Sequence, residues 1–224
     1  MSKIQETLKL YTYNASKPTF NAHPLVVYDA ESKESGLKFT LKLYRRSDAD
    51  LATYFQRMKS SASDYIIKFY EIINEPETSQ LLVIQEHVPY GTLANALSKT
   101  KRLEDDDALN ITKQLLNGHI DMLRTGMCWT GTEADIDITE NGVKLSWNNS
   151  IIYSENNPNP FPDLIDRLAN RKEQSGVLPF PPNKMINDLI KVSKENASEM
   201  SLHPLLKKRD KVFKKKGKNW LAIK

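Results

Sequence analysis

The residues best suited to chemistry in this sequence are one lysine and, elsewhere in the chain, two aspartates that lie close to each other. Lys42 lies within the alternating segment Leu37–Leu43, and a lysine ammonium is a common ligand of phosphate groups. Asp135 and Asp137 are separated by one residue, and two carboxylates so close could hold a hard cation such as Mg²⁺. The structural alternative is a strand lysine whose stem packs on apolar neighbours while its ammonium reaches water, together with an exposed acidic turn.

The sequence argues against several other chemistries. Its four histidines are scattered, and no cysteine or histidine pair has the spacing of zinc ligands. The single cysteine, Cys128, excludes an internal disulfide and is typical of a reducing compartment. There is neither a G-x-S-x-G motif nor a Walker loop. With no apolar segment of membrane-spanning length, we expect an intracellular protein, cytoplasmic or also nuclear.

The elements that must position these residues can be predicted from periodicity. Alternation of Leu37, Phe39, Leu41 and Leu43 predicts a half-buried strand within residues 35–46. Acidic residues that follow Ser47 favour the start of a helix that spans residues 48–60. Apolar residues at helical spacing within residues 108–126 predict a long amphipathic helix. Ile136, Ile138, Val143 and Leu145 alternate around Asn141-Gly142, which predicts a short hairpin.

One tract carries a resemblance to a known family. Residues Gly126–Asn149 read GMCWTGTEADIDITENGVKLSWNN. This tract resembles the protein kinase stretch from H-R-D to D-F-G, and Glu140–Ser146 (ENGVKLS) carries the match. Lys42 resembles the kinase lysine of V-A-I-K, and residues 80–97 resemble the strand, hinge and first large-lobe helix of that family. The match extends from about residue 36 to residue 146.

The resemblance implies an α+β, two-lobed protein kinase-like fold with a reduced helical C-lobe. The kinase-like domain would span residues 1–206, with a β-rich N-lobe of about residues 1–88 and a C-lobe of about residues 89–206. Residues 207–224 would form a basic tail. In such a fold the nucleotide would contact Lys42 and the hinge backbone at Glu86 and Val88, with Gln85 as the gatekeeper.

The chain departs from the kinase pattern wherever the chemistry requires specific residues. No glycine occurs in residues 11–29, where a phosphate-binding loop would lie. Four positions are degenerate: Tyr54 stands for the glutamate that pairs with the lysine, Thr130 for the catalytic aspartate, Asp135 for the magnesium-binding asparagine, and Trp147 for the D-F-G aspartate. We therefore expect no catalytic residues and no cofactor. Mg²⁺ binding is not expected, whereas ATP binding stays an open alternative. The bulk of Trp129 and Trp147 would fill the cleft.

Three functions fit these observations. The preferred one is a catalytically inactive kinase-like scaffold or allosteric regulator in intracellular signalling, which binds another protein such as an active kinase. The second is an atypical serine/threonine kinase or ATP-binding switch that uses Lys42 and a relocated carboxylate such as Asp135. The third is an adaptor for nucleic acid, anionic lipid or an acidic partner.

The adaptor hypothesis depends on the uneven charge of the chain. The formal net charge is +4, and residues 207–220 hold eight basic residues and one acid. The structural alternative is a solvated terminal segment that aids solubility. The basic residues are Lys207, Lys208, Arg209, Lys211, Lys214, Lys215, Lys216 and Lys218.

Overall fold

The computed structural model describes residues 2–45, 49–60, 62–99, 105–125, 127, 129, 131–147 and 191. These residues form a mixed α+β structure in which the strands pair antiparallel, so the expected fold class is confirmed at that level. The chain divides into two compact units, one of residues 1–62 and 66–89, the other of residues 63–65 and those from Tyr90 onward. The lobes of about residues 1–88 and 89–206 remain a prediction, because compactness does not identify a kinase lobe.

An antiparallel sheet organises the first unit. Its order is β1-β3-β4-β6-β5, and β2 also pairs with β3. The inner strands β4 and β6 lie side by side although β5 lies between them in sequence. The strands are β1 (Tyr11–Tyr13), β2 (Phe20–Ala22), β3 (Leu25–Ser32), β4 (Lys38–Tyr44), β5 (Phe69–Glu75) and β6 (Gln80–Glu86).

Strand β4 lies within the segment predicted to be a strand, but it is not half-buried. Thr40, Lys42 and Tyr44 point to one face of the sheet and are all buried. Leu41 on the opposite face is fully buried as well. Both faces of this central strand are therefore covered. The alternation of apolar residues in the sequence had predicted burial of one face only.

Helix α1 (Lys3–Leu8) covers one face of the sheet, and sequence periodicity did not predict it because it spans only six residues. Ile4 packs into an apolar cluster with Leu41, Ile73 and Leu82. Ser2 caps the helix, since its side chain accepts a hydrogen bond from the Gln5 N–H.

Helix α2 (Ala49–Lys59) covers the opposite face, which confirms the helix predicted around residues 48–60. The ring of Phe55 contacts those of Tyr44 on β4 and Phe69 on β5, with centroid distances of 5.7 and 5.1 Å. Because Lys42 shares a sheet face with Tyr44, it lies on the side of the sheet where α2 packs.

The second unit contains two further helices and a hairpin. The elements are α3 (Leu93–Lys99), α4 (Asp105–Arg124), a 3-10 helix (Glu133–Asp135), β7 (Ile136–Thr139) and β8 (Gly142–Leu145). The long helix and the hairpin were both predicted from sequence and are confirmed. The hairpin closes through Glu140-Asn141, and Gly142 has a φ of 117°, a value that L side chains rarely adopt.

Among the described residues, no helix has both the length and the apolar composition needed to cross a bilayer.

Candidate functional site

Lys42 is enclosed by the sheet and does not reach water. It is only 2% exposed, and the register places it between Val27 on β3 and Val83 on β6. The expectation that a structural Lys42 would extend its ammonium into water is therefore wrong. A buried ammonium is costly unless other groups compensate it, so this lysine depends closely on its surroundings.

The predicted hinge at Val88 is tied to the strand that carries Lys42. The backbone N–H of Val88 donates to Thr40 Oγ1 at 3.0 Å. Thr40 is only 2% exposed and lies opposite Gln85, the predicted gatekeeper, which is fully buried. The N–H group that would meet an adenine is therefore engaged within the protein.

The Glu86 position is also engaged in local hydrogen bonds. Its backbone N–H donates to the carbonyl of Lys68 at 2.9 Å, and its Oε1 accepts the Lys68 N–H at 2.7 Å. This two-way pairing fixes the end of β6 against the residue that precedes β5. Next in sequence, His87 Nε2 lies 3.8 Å from Asp29 Oδ1, at a partly exposed site.

The loop between β1 and β2 lies within residues 11–29, the stretch in which the resemblance would place a phosphate-binding loop. A phosphate-binding loop presents several backbone N–H groups to the phosphates. Here the N–H of Ser16 donates to Asn14 Oδ1, and that of Lys17 donates to the Asn14 carbonyl, both at 3.1 Å. The N–H of Thr19 donates to the Val27 carbonyl at 2.9 Å. The chain therefore uses these three donors itself.

Tyr54, at the predicted place of the glutamate that pairs with the lysine, is buried on α2 with 3% exposure. Its ring lies 5.9 Å from that of Phe55, its neighbour on the same helix, so it takes part in the aromatic packing of α2. Residues 51–59 of α2 contain no carboxylate. The usual lysine–glutamate ion pair therefore cannot come from this stretch of the helix.

Asp135 has a structural position in the second unit. The expectation of an exposed acidic turn is wrong here, because the residue is fully buried. Its Oδ2 accepts hydrogen bonds from the N–H of Thr132 at 3.0 Å and from Thr132 Oγ1 at 3.3 Å. Together with the bond from the Ala134 N–H to Thr132 Oγ1, this forms the capping box of a 3-10 helix.

Asp137 is also buried, with 2% exposure, and the register places it opposite Lys144, which is 8% exposed. Directly opposed residues of an antiparallel pair project from the same face, so Asp137 and Lys144 share one face of the hairpin. Opposite charges on one face of a hairpin favour each other, which is a structural role.

The two tryptophans of the resembling tract are both buried, Trp129 completely and Trp147 to 4% exposure. Trp129 Nε1 donates to the carbonyl of Ser146 at 3.4 Å. Its ring also leaves no room at Gly131, where an added Cβ would lie 2.8 Å from it. Trp129 is thus part of the packing of the second unit.

Several predicted residues lie outside the described part of the chain. They include Cys128, Thr130 at the catalytic-aspartate position, and the eight basic residues from Lys207 to Lys218. Within the described ranges, no three His, Cys, Asp or Glu side chains gather where they could hold a metal ion.

Sequence reasoning missed two threonines, Thr132 and Thr40, whose hydroxyl groups contact Asp135 and the Val88 N–H. Thr132 and Asp135 have the T-x-x-D spacing of a capping box, so this signal was present in the sequence. Thr40 carried no comparable signal, because its partner is 48 residues away along the chain.

Comparison with known proteins gives no relative, since no family model and no curated protein matches this chain.

Proposed function

We propose that this chain is a catalytically inactive, protein kinase-like scaffold or allosteric regulator that acts through protein–protein binding in intracellular signalling. The order of elements along the chain supports this proposal. The strand with Lys42 is followed by a helix, two strands, a short helix, a long helix and a hairpin. That order is the one implied by the resemblance from residue 36 to residue 146.

The observation that carries the proposal is the hydrogen bond between the Val88 N–H and Thr40 Oγ1. A nucleotide that used the hinge would have to break this bond, and a buried Thr40 hydroxyl would lose its partner. Leaving a buried polar group unsatisfied costs about 1–3 kcal/mol.

The residues at the metal-binding positions do not fit Mg²⁺, which requires several well-placed oxygen ligands. The described Oδ2 contacts of Asp135 serve a capping box, and the side chain of Trp147 contains no oxygen ligand. Metal electrostatics and a general base each contribute on the order of 10²–10⁴ in rate to catalysis. Without these groups, phosphoryl transfer is not expected.

The test is ATP binding by the full chain, measured as the thermal unfolding midpoint with and without Mg²⁺. We expect no shift at millimolar ATP. A Mg²⁺-dependent rise that disappears in Lys42→Met, yet persists in Lys17→Met, would overturn the proposal in favour of an ATP-binding switch. Lys17 is an exposed lysine of the same unit and serves as the matched control. Equilibrium dialysis of the unmodified chain with labelled ATP gives an answer even if Lys42→Met does not fold.

The scaffold function has its own measurement. Proteins that co-purify with the tagged chain should be recovered equally with a folded Lys42→Met variant, because binding requires no nucleotide. Partners that are lost only in Lys42→Met would contradict a nucleotide-independent scaffold. Transfer of labelled phosphate to peptides by the purified chain would contradict catalytic inactivity.

A further inference from the structure

Three aromatic rings form a continuous row on one face of the sheet. The ring of Phe39 on β4 contacts Tyr11 on β1 at a centroid distance of 5.6 Å and Tyr70 on β5 at 5.2 Å. The planes cross at 81° and 86°, so both tyrosines are nearly perpendicular to the phenylalanine. Tyr70 is 43% exposed, while Phe39 and Tyr11 are half-buried. Water therefore reaches one end of this row.

The exposed end of the row already attracts a cation. Lys68 Nζ lies over the Tyr70 ring, 5.5 Å from its centroid. This is within the range of about 6 Å over which an ammonium is attracted to an aromatic face. Lys68 is exposed, so water can hydrate its ammonium when the side chain leaves the Tyr70 ring. Its displacement by another cation therefore costs little.

A carboxylate lies beside the same rings. Glu71 follows Tyr70 on β5 and is half-buried. Burial raises the pKa of the Tyr11 hydroxyl, and the negative charge of Glu71 raises it further. The register places Glu71 opposite Ile84 on β6 and Phe39 opposite Glu86 on the same strand, so Glu71 and Phe39 project from the same face of the sheet. Aromatic faces with one nearby negative charge complement a weakly hydrated cation.

We propose that Tyr11, Phe39, Tyr70 and Glu71 form a binding site for an alkylated ammonium group. A trimethylammonium group is bulky and weakly hydrated, so it can contact several rings at little desolvation cost. Without this ligand, the primary ammonium of Lys68 lies over the Tyr70 ring. Lys68 would therefore compete with the ligand for this ring. The site is independent of the proposed scaffold function, since none of its residues holds a nucleotide-binding position.

The first test is an NMR titration of the full chain with choline and with its neutral carbon isostere, 3,3-dimethyl-1-butanol. Choline is expected to shift the amide signals of Phe39, Tyr70 and Glu71 in a saturable manner. The isostere should bind about tenfold more weakly, because it lacks the charge that the rings and the carboxylate attract. Potassium chloride at the same ionic strength serves as the salt control. Equal binding of choline and the isostere would overturn the proposal.

Variants then assign the site. Tyr70→Leu and Glu71→Gln should each weaken choline binding about tenfold, whereas Lys68→Gln should strengthen it severalfold by removing the internal competitor. Tyr90→Leu is the matched control, because Tyr90 is an exposed tyrosine of the second unit with 59% exposure. Unchanged binding in Tyr70→Leu, or equal losses in Tyr90→Leu, would contradict the assignment even if choline binds.

A final comparison identifies the source of the ligand. A peptide with one trimethyl-lysine is compared with its unmethylated form, and phosphatidylcholine vesicles with phosphatidylglycerol vesicles. Preference for the methylated peptide indicates a modified protein, and preference for phosphatidylcholine indicates a lipid headgroup. If neither binds more tightly than free choline, the site does not serve a biological alkylammonium ligand and the proposal fails.

Discussion

The hydroxyl of Thr40 is buried and accepts a hydrogen bond from the Val88 N–H, which lies 48 residues further along the chain. This contact fixes the end of β6 and the residues after it against β4. Buried backbone donors are nearly always satisfied, because an unpaired one loses its water without compensation. The same hydrogen bond occupies the N–H group that a nucleotide would need. The Thr40 hydroxyl therefore stabilises the fold and at the same time disfavours nucleotide binding at the predicted hinge.

Replacing Thr40 with valine tests this contact. The change keeps the shape of the side chain but leaves the Val88 N–H without its acceptor, and we expect a loss of about 1–3 kcal/mol in unfolding free energy. Urea denaturation measures it. Thr40→Ser retains the hydroxyl and should recover most of the loss, whereas a loss in Thr40→Ser as large as in Thr40→Val would mean that packing of the methyl group dominates.

At the scale of elements, the contact between α4 and the hairpin is unusually close. A Cβ added at Gly118 on α4 would lie 2.8 Å from the Tyr65 carbonyl oxygen and 3.0 Å from Leu145 Cδ1 on β8. The helix is also joined to the hairpin by a hydrogen bond from the Val143 N–H to Gln114 Oε1, at 2.9 Å. Glycine is therefore required at this position although it lowers helix propensity.

Gly118→Ala should consequently destabilise the protein, against the usual trend. In an exposed helix interior this substitution stabilises by about 1 kcal/mol. Here overpacking against backbone should cost about 1–3 kcal/mol instead, visible as a lower midpoint in urea. Asn117→Ala on the same helix is half-buried and serves as the control, with no loss expected. A stabilised Gly118→Ala would contradict the close approach.

Helix α1 is attached to the sheet by the carboxylate of Glu75, at the end of β5. Glu75 Oε1 accepts hydrogen bonds from Ser2 Oγ at 2.8 Å and from the Ile4 N–H at 2.7 Å. The Ser2 hydrogen bond is the main reason why the pKa of Glu75 is lowered, and the Ile4 N–H adds to it. A carboxylate at a helix N-terminus is also favoured by the helix dipole.

Acid should therefore release α1 from the sheet. Because the pKa of Glu75 is lowered on folding, its contribution is present above the ordinary value of 4.5 and is lost as the pH falls through the lowered pKa. Glu75→Gln should reproduce this loss at neutral pH, as faster amide hydrogen exchange at Ile4 and Glu6. Glu77→Gln is the control for charge alone, since the side chain of Glu77 is exposed. Equal exchange in both variants would contradict the role of Glu75.

For the whole molecule, the sequence predicted elements better than contacts. The strand with Lys42, helix α2, helix α4 and the hairpin follow from local periodicity and from Asn141-Gly142, which act within a few residues. The burial of Lys42 and the engagement of the hinge N–H depend on strands that pair across long sequence distances. Helix α1 was missed because a six-residue helix is stabilised by its packing and by Glu75 rather than by propensity.

The two units differ in the groups that titrate within them. Glu75 belongs to the first unit, whereas His119 on α4 belongs to the second. Burial lowers the pKa of His119 from 6.5 to about 4. Trp129 and Trp147 are buried in the second unit, so their fluorescence reports on its packing.

Acid is accordingly expected to weaken the second unit before it acts on Glu75. Between pH 6.5 and about 4 the unfolded chain binds a proton at His119 that the folded chain does not, so stability is complete above pH 6.5 and falls through this window. The loss amounts to roughly 3 kcal/mol at 1.36 kcal/mol per pKa unit.

Urea unfolding followed by tryptophan fluorescence at several pH values measures this loss of stability. His119→Asn changes a buried side chain and so lowers stability equally at every pH, but it should remove the dependence on pH in this window, because asparagine does not titrate. His23→Asn, an exposed histidine of the first unit, should retain that dependence. If His119→Asn keeps the wild-type slope between pH 6.5 and 4, another group carries the acid response.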